Sequence, residues 1–318
     1  MKKKKESKKV IELAVNILKK GGIVSIMAET VYGLAVDSNN SKAIETLFKL
    51  KKRPKYNPLI IHVNTIEMAE KISYFNYDAK KIASKFWPGP LTIILEKKNT
   101  KGLSELATAG LRTIALRMPD SKVFLEVITK LNKPIAAPSA NESGYISSTN
   151  GMHVQDSFGD KVDLIIDSGK SKHGLESTII NLTSKPYKIE RLGIISKEEI
   201  IKKTNFKINE NTNDLSTKII SPGQLKKHYS PKTPIRLNAK KPLINEAYLS
   251  FGKNKITDNS SSLNLSPNGD LIEAAFNLFD FLRKLDKLNK TRIAISSIPN
   301  VGIGKTINER LKRASQYE

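Results

Sequence analysis

The sequence predicts an α/β fold in two units: a larger one with one large twisted mixed sheet, then a smaller α/β unit with a parallel sheet. Three observations lead there. Over residues 10–203, short runs rich in Ile, Val, Leu and Thr alternate with amphipathic segments. From 202 to 218 the chain turns polar and loses periodicity. Beyond it, strand, helix, strand and helix patterns follow one another, the order of a small parallel sheet.

Strands are expected at 23–28, 59–63, 91–96, 113–117, 135–138, 164–167, 177–182 and 188–191, each bounded by Gly, Pro, Asn or Ser. Helices are expected at 7–19, 42–51, 78–86 and 121–131, the last opened by a Pro-Asp-Ser capping signal. In the second unit the strands fall at 247–251 and 292–297. A long helix near 271–288 carries Leu271, Ala275, Leu278, Phe279, Leu282 and Leu285 on one stripe, and a final helix spans about 306–315. The domains are therefore placed at 1–203 and 233–318, with a linker at 204–232.

At 318 residues and 39 % hydrophobic content, the chain is long and apolar enough to bury two cores. Its apolar runs are far shorter than the roughly 20 residues of a membrane span. The lysine-rich start leads into a segment broken by Glu12 and Asn16, which reads as an amphipathic helix, not an export signal. Absence of cysteine excludes disulfides, thiolate catalysis and Cys-ligated zinc, and fits a cytoplasmic location. A net charge of +23 favours polyanions such as nucleotides and nucleic acid. Lysine-rich composition alone also produces such a surface.

Six segments carry candidate chemistry. Residues 28–34 (Ala-Glu-Thr-Val-Tyr-Gly-Leu) end a buried strand, where ligand-facing groups collect in open α/β sheets; structurally, Gly33 making a turn capped by Thr30 also explains them. Residues 51–62 place Lys51, Arg53 and Asn57 before an apolar strand that ends in His62, a ring that needs partners. Residues 86–92 hold the lone tryptophan and read as a rigid turn. Arg117 alternates with apolar residues in a strand, a costly burial that a bound carboxylate or phosphate relieves. Residues 136–147 bring Ala137, Ser139 and Ser147, small groups that let a ligand approach the backbone. Ser177-Thr178 and Arg191-Leu192-Gly193 form the sixth. The run 301–306, Val-Gly-Ile-Gly-Lys-Thr, ends like a phosphate-binding loop, but Pro299 stands where that loop requires glycine.

Together these segments, in order, resemble the YrdC-type threonylcarbamoyl-adenylate synthases. The run 221–231 (Ser-Pro-Gly-Gln-Leu-Lys-Lys-His-Tyr-Ser-Pro) is similar to the linker of their two-domain form, and 304–311 to its C-terminal helix. The resemblance implies a YrdC-like domain, a smaller Rossmann-like C-terminal domain, and a nucleotidyltransferase. Such an enzyme makes threonylcarbamoyl-adenylate and pyrophosphate from L-threonine, bicarbonate and ATP. It implies that Thr30, His62, Arg117, Ala137 and Ser177 hold threonine. Arg53, Asn57, Thr113, Ser139, Ser147 and Arg191 would hold ATP, and Tyr229 would close over it. Lys51, His62 and Arg117 act by positioning, no side chain is a covalent catalyst, and Mg²⁺ bridges the phosphates without an assigned protein ligand. The product would feed a tRNA threonylcarbamoyl transferase complex, with direct tRNA or double-stranded RNA contact as a further partner and no membrane. Ala28 replaces the proline usual in this family, and Lys52 a frequent glycine. A non-catalytic double-stranded RNA or tRNA-binding module of the same fold is the alternative. A carbamoyl-transfer enzyme of hydrogenase maturation is excluded by the missing zinc-finger cysteines.

Overall fold

The computed structural model describes residues 3–99, 102–210, 219–224, 228–253 and 261–316. The first unit runs β1 (Lys3–Lys5), α1 (Lys8–Lys19), β2 (Val24–Met27), β3 (Tyr32–Asp37), α2 (Ser41–Lys51), β4 (Ile60–His62), α3 (Ile66–Ile72), α4 (Tyr77–Phe86), β5 (Leu91–Glu96) and β6 (Thr113–Arg117). It continues with α5 (Lys122–Leu131), β7 (Ile135–Ala136), α6 (Gly151–Phe158), β8 (Leu164–Asp167), β9 (Thr178–Asn181), β10 (Tyr187–Arg191), α7 (Lys197–Thr204) and β11 (Ile208–Glu210). Its strands form one sheet in the order β1-β8-β2-β3-β7-β4-β6-β5-β9-β10-β11. The sheet is mixed: β4 runs parallel to β6 but antiparallel to β7, and β5 parallel to β9 but antiparallel to β6.

Side-chain caps start helices α2 and α5, at α5 as the Pro-Asp-Ser signal predicts. Ser121 Oγ accepts from Phe124 N at the head of α5, and Asn40 Oδ1 from Ala43 N at the head of α2. Helix α2 ends on Lys52 at φ 52°, ψ 37°. That is the left-handed conformation glycine adopts at no steric cost, which explains why a glycine suits this position.

The second unit contains β12 (Ile235–Arg236), β13 (Glu246–Ser250), β14 (Ser262–Asn264), α8 (Leu271–Asp286), β15 (Arg292–Ile295) and α9 (Ile303–Ala314). Its sheet, β12-β15-β13-β14, is parallel throughout. The α8 stripe buries Ala275, Leu278, Phe279, Leu282 and Leu285 as the periodicity predicts. That core also takes in Val31, Ile146 and Leu175 of the first unit, so the two units share one apolar interior.

Three readings change. The lysine lead, read from sequence only as the approach to the first helix, holds a charged edge strand: Lys3–Lys5 pairs with Ile165–Asp167, and Lys3 meets Asp167 at 3.0 Å. Gly33 makes no turn. It lies inside β3, where a Cβ would sit 3.3 Å from Ala137 Cβ, so it serves close approach to the 137–139 segment. Within the stretch expected as linker, Ile208–Glu210 extends the large sheet beside β10. Alternate Ile208 and Phe206 supply its buried face, too short a pattern to stand out among the asparagines. Residues 211–218 and 225–227 of that stretch lie outside the described residues.

Candidate active site

The polar segments converge where strands end. His62 and Arg117 are register partners at the C-terminal ends of β4 and β6. Ala137 follows β7 and donates its N–H to the Ile60 carbonyl at 3.1 Å. Thr30 follows β2, Ser177 precedes β9, and Arg191 closes β10 on the same side, because β9 and β10 are antiparallel. A cavity of about 50 Å³ is lined there by Thr30, Arg53, His62, Arg117, Ala137, Ser139, Ser177 and Arg191 among others.

Arg117 Nη1 donates to Thr30 Oγ1 at 3.0 Å, Nη2 to Glu29 Oε1 at 2.5 Å, and Nε to the Gly89 carbonyl at 3.2 Å. The buried arginine thus already has a protein carboxylate. Its partner, Glu29, sits in a segment already singled out, but spacing gave no sign of the pairing. Arg191 Nη2 donates to the carbonyl and hydroxyl of Ser177, both at 2.9 Å, and Ser177 Oγ shares a 2.7 Å bond with Thr92.

Three buried cations of this site, Lys51, Arg53 and Arg191, have no carboxylate at ion-pair distance among the described residues. Lys51 Nζ donates to the carbonyls of Ser139 at 2.6 Å and Asn141. Arg53 bonds the carbonyls of Asn57 and Pro58 and the Asn57 side chain. Burial, then the charge of Arg53, holds Lys51 well below its ordinary value; burial, then the charge of Arg191, brings Arg53 down to about 9; burial lowers Arg191. These cations are costly until an anion arrives. Burial, reinforced by Arg117, pushes His62 down to about 3, so its ring is neutral; it stacks on Phe124 at 4.9 Å.

Unsatisfied buried atoms gather at the same place. Glu29 Oε2, His62 Nδ1, Asn57 Nδ2, His228 Nδ1 and Tyr229 OH have no hydrogen-bond partner among the described residues. Buried polar atoms are rarely left so, and a cluster of them marks a place for a ligand.

The segment leading from the first unit completes the wall, and helix α9 backs it. Pro222 and His228 line the cavity. Tyr229 is fully buried beside His228, its ring centroid 5.6 Å from Phe279 and 4.6 Å from the Arg310 guanidinium. Glu176 lines the cavity too, accepting from Ser147 Oγ at 2.5 Å and from Arg310 Nε at 3.1 Å. The phosphate-loop-like run does not cradle anything: Thr306 donates to the Gly193 carbonyl at 2.9 Å and Lys305 pairs with Glu198 at 3.1 Å, docking one unit on the other.

Residues 16–193 match the Sua5_yciO_yrdC family model, described as telomere recombination, and residues 190–316 match the model of the threonylcarbamoyl-AMP synthase C-terminal domain. The threonylcarbamoyl-AMP synthase of Pyrococcus abyssi is 34 % identical over 96 % of this chain and 94 % of its own length. The chain belongs to the threonylcarbamoyl-AMP synthase family. The family member of Bacillus subtilis is 33 % identical over 96 % of the chain and 92 % of its own length. A crystal structure of P. abyssi Sua5 complexed with L-threonine superposes with a TM-score of 0.88 at 31 % identity, covering 99 % of this chain and 96 % of that one.

Among the residues that likeness to the synthase family implies, eight line the cavity and four lie directly behind its wall. Lys51 is held through Ser139, Asn57 through Arg53, Ser147 through Glu176, and Tyr229 beside His228. Thr113 stands apart: it opens β6 and pairs with Glu96, about 13 Å along the strand from Arg117 at some 3.3 Å per residue. It does share the Arg117 face of β6, across the buried floor of Ile60, Ile94, Ala115 and Ile179. Sequence reasoning missed Glu29, Glu176, His228 and Arg310. Glu29, His228 and Arg310 lay in segments already singled out, and Glu176 did not; Glu176 and Arg310 acquire meaning through contacts between distant parts of the chain.

Proposed function

We propose that the chain is a threonylcarbamoyl-AMP synthase acting in the threonylcarbamoyladenosine modification of tRNA: an adenylyl-transferring enzyme that converts L-threonine, bicarbonate and ATP to L-threonylcarbamoyladenylate and pyrophosphate. The observation that carries this is the set of buried cations without carboxylates, Lys51, Arg53 and Arg191, beside an Arg117–Thr30–Ser177 cluster sized for an amino acid. The L-threonine complex of the P. abyssi relative supports the same reading.

In this reading Arg117 takes the threonine carboxylate, and Thr30, Ser177 and the Ala137 backbone orient the rest. Neutral His62 offers its free Nδ1 as an acceptor and does not compete for the carboxylate as a cation. The threonine amine attacks the bicarbonate carbon and water leaves, giving a carbamate. A carbamate oxygen then attacks the α-phosphorus, and pyrophosphate departs as the P–O bond breaks. Lys51, Arg53 and Arg191 neutralise the charge that builds on the phosphates, and Asn57, Ser139 and Ser147 fix their path. The adenosine lies toward Thr113 along the Ile60–Ala115 floor. Carbamates decompose in water, so closure by His228 and Tyr229 preserves the intermediate. No enzyme-bound covalent intermediate is required.

Mg²⁺ enters as the counter-ion of ATP. The acids at the cavity, Glu29 and Glu176, are each engaged by an arginine, which does not fit a protein-held ion. The product passes to a tRNA threonylcarbamoyl transferase in the cytoplasm. Among the described residues no helix is long and apolar enough to cross a membrane. A duplex-binding module does not account for cations buried in a recess too narrow for a nucleic-acid helix.

The test is pyrophosphate release with mass detection of the adenylate. Release requires threonine and bicarbonate together; turnover that continues without threonine refutes the assignment.

A further inference from the structure

Helix α9 sends one side chain from the second unit into the wall of the first. Arg310 is 1 % exposed. Its Nε reaches Glu176, one Nη donates to the Leu192 carbonyl at 2.6 Å, and its guanidinium lies over Tyr229. Glu309, its neighbour on the helix, also pairs with it. Arginine suits this place because a planar fork serves acceptors in several directions while presenting a face to an aromatic ring; a lysine ammonium has one nitrogen. Three separate parts thus meet on one group: the cavity wall at Glu176, the bend after β10, and the closing segment at Tyr229. Ser230, next along, donates its N–H to the Gly144 carbonyl at 2.8 Å.

With His228 on its wall, the cavity of about 50 Å³ falls well short of the roughly 300–1,000 Å³ of small-molecule sites. ATP needs more room than this; movement of residues 228–230, of which His228 lines the cavity, supplies it and separates Tyr229 from Arg310.

We propose that Arg310 is a positioning residue for adenylation: it latches residues 228–230 closed against Glu176 and so sets how tightly ATP is retained. Its hydrogen bond to the cavity wall and its face on the closing ring belong to one side chain of the second unit. The proposal rests on the synthase reading for its kinetic part, but not for its structural part.

Hydrogen exchange on the full chain without substrates tests the latch directly. In Arg310→Met, the amides of Tyr229 and Ser230 exchange at least tenfold faster than in the parent chain, while amides of β4 and β6 keep their rates. In the synthase assay the KM for ATP rises about tenfold, the KM for threonine stays within twofold, and kcat within threefold. Glu176→Gln, which weakens one arm of the fork, shifts both readouts the same way by a smaller factor. Arg310→Lys keeps the charge without the fork and carries the test if the methionine variant does not fold. Parental exchange at Tyr229 and Ser230 in these variants overturns the proposal. So does an equal rise in both KM values accompanied by faster exchange throughout the first unit. If the parent chain makes no adenylate from threonine, the synthase reading falls, and the exchange rates still decide the latch.

Discussion

Glu29 Oε1 lies 2.5 Å from Arg117 Nη2, with both side chains almost completely buried. The arginine that is to hold a substrate carboxylate is therefore already balanced by one from the protein, which keeps the charge tolerable while the site is empty. Removing either partner alone strands a buried charge, at about 3–5 kcal/mol. Arg117→Gln should lose that much stability in chemical denaturation and raise the KM for threonine at least a hundredfold. The double variant Glu29→Gln/Arg117→Gln should regain most of the stability and none of the threonine use. Recovery of both would show that Arg117 does not contact threonine.

The four histidines all lie below their ordinary value, each chiefly through burial. Their neutral forms are favoured by folding. Between pH 6.5 and about 3, His62 takes up a proton in the unfolded chain before it does in the folded one, so its stabilising contribution is present above that window and lost as pH falls through it. The chain should melt progressively lower from pH 7 to pH 4. His62→Gln should flatten that slope by up to about 1.4 kcal/mol per pH unit. Identical slopes would contradict the buried, neutral ring.

Unbalanced cations at the cavity predict stabilisation by anions. ATP at a hundred times its Kd should add about 2.7 kcal/mol to folding stability, read as an upward melting shift, and pyrophosphate should act in the same direction. Arg53→Gln, which removes one buried cation, should reduce the ATP shift by more than half. An undiminished shift would place the triphosphate elsewhere.

Lys52 carries a left-handed backbone at the end of α2 and an exposed ion pair to Glu142 at 2.9 Å. The backbone conformation costs roughly 1–2 kcal/mol for a residue with a side chain, and an exposed pair contributes about 0–1 kcal/mol. Lys52→Gly should thus stabilise the chain by about 0.5–1 kcal/mol in urea denaturation. Destabilisation would mean that the ion pair outweighs the strain.

The strands read best from sequence were those whose apolar runs end abruptly, such as Leu91–Glu96 and Thr113–Arg117, where composition and boundaries agree. Tyr32–Asp37 was hidden because it is buried on both faces and follows β2 after a short loop, so its Gly33 imitated a turn. Lys3–Lys5 has no hydrophobic signal at all; backbone pairing alone makes it a strand. In the site, Arg117 and His62 were legible because polar groups interrupt apolar strands. Glu176 and Arg310 were not: they are separated by more than a hundred residues, and neither position breaks a pattern where it stands.

Val31, Ile146 and Leu175 belong to the same apolar cluster as Leu278 and Phe279. The seam between the halves is therefore interior rather than surface, and neither half has a complete skin without the other. Heating should dismantle the chain in a single calorimetric endotherm. A C-terminal half grafted from a distant relative would bring a mismatched seam, so exchange of halves between lineages demands matched changes on both sides.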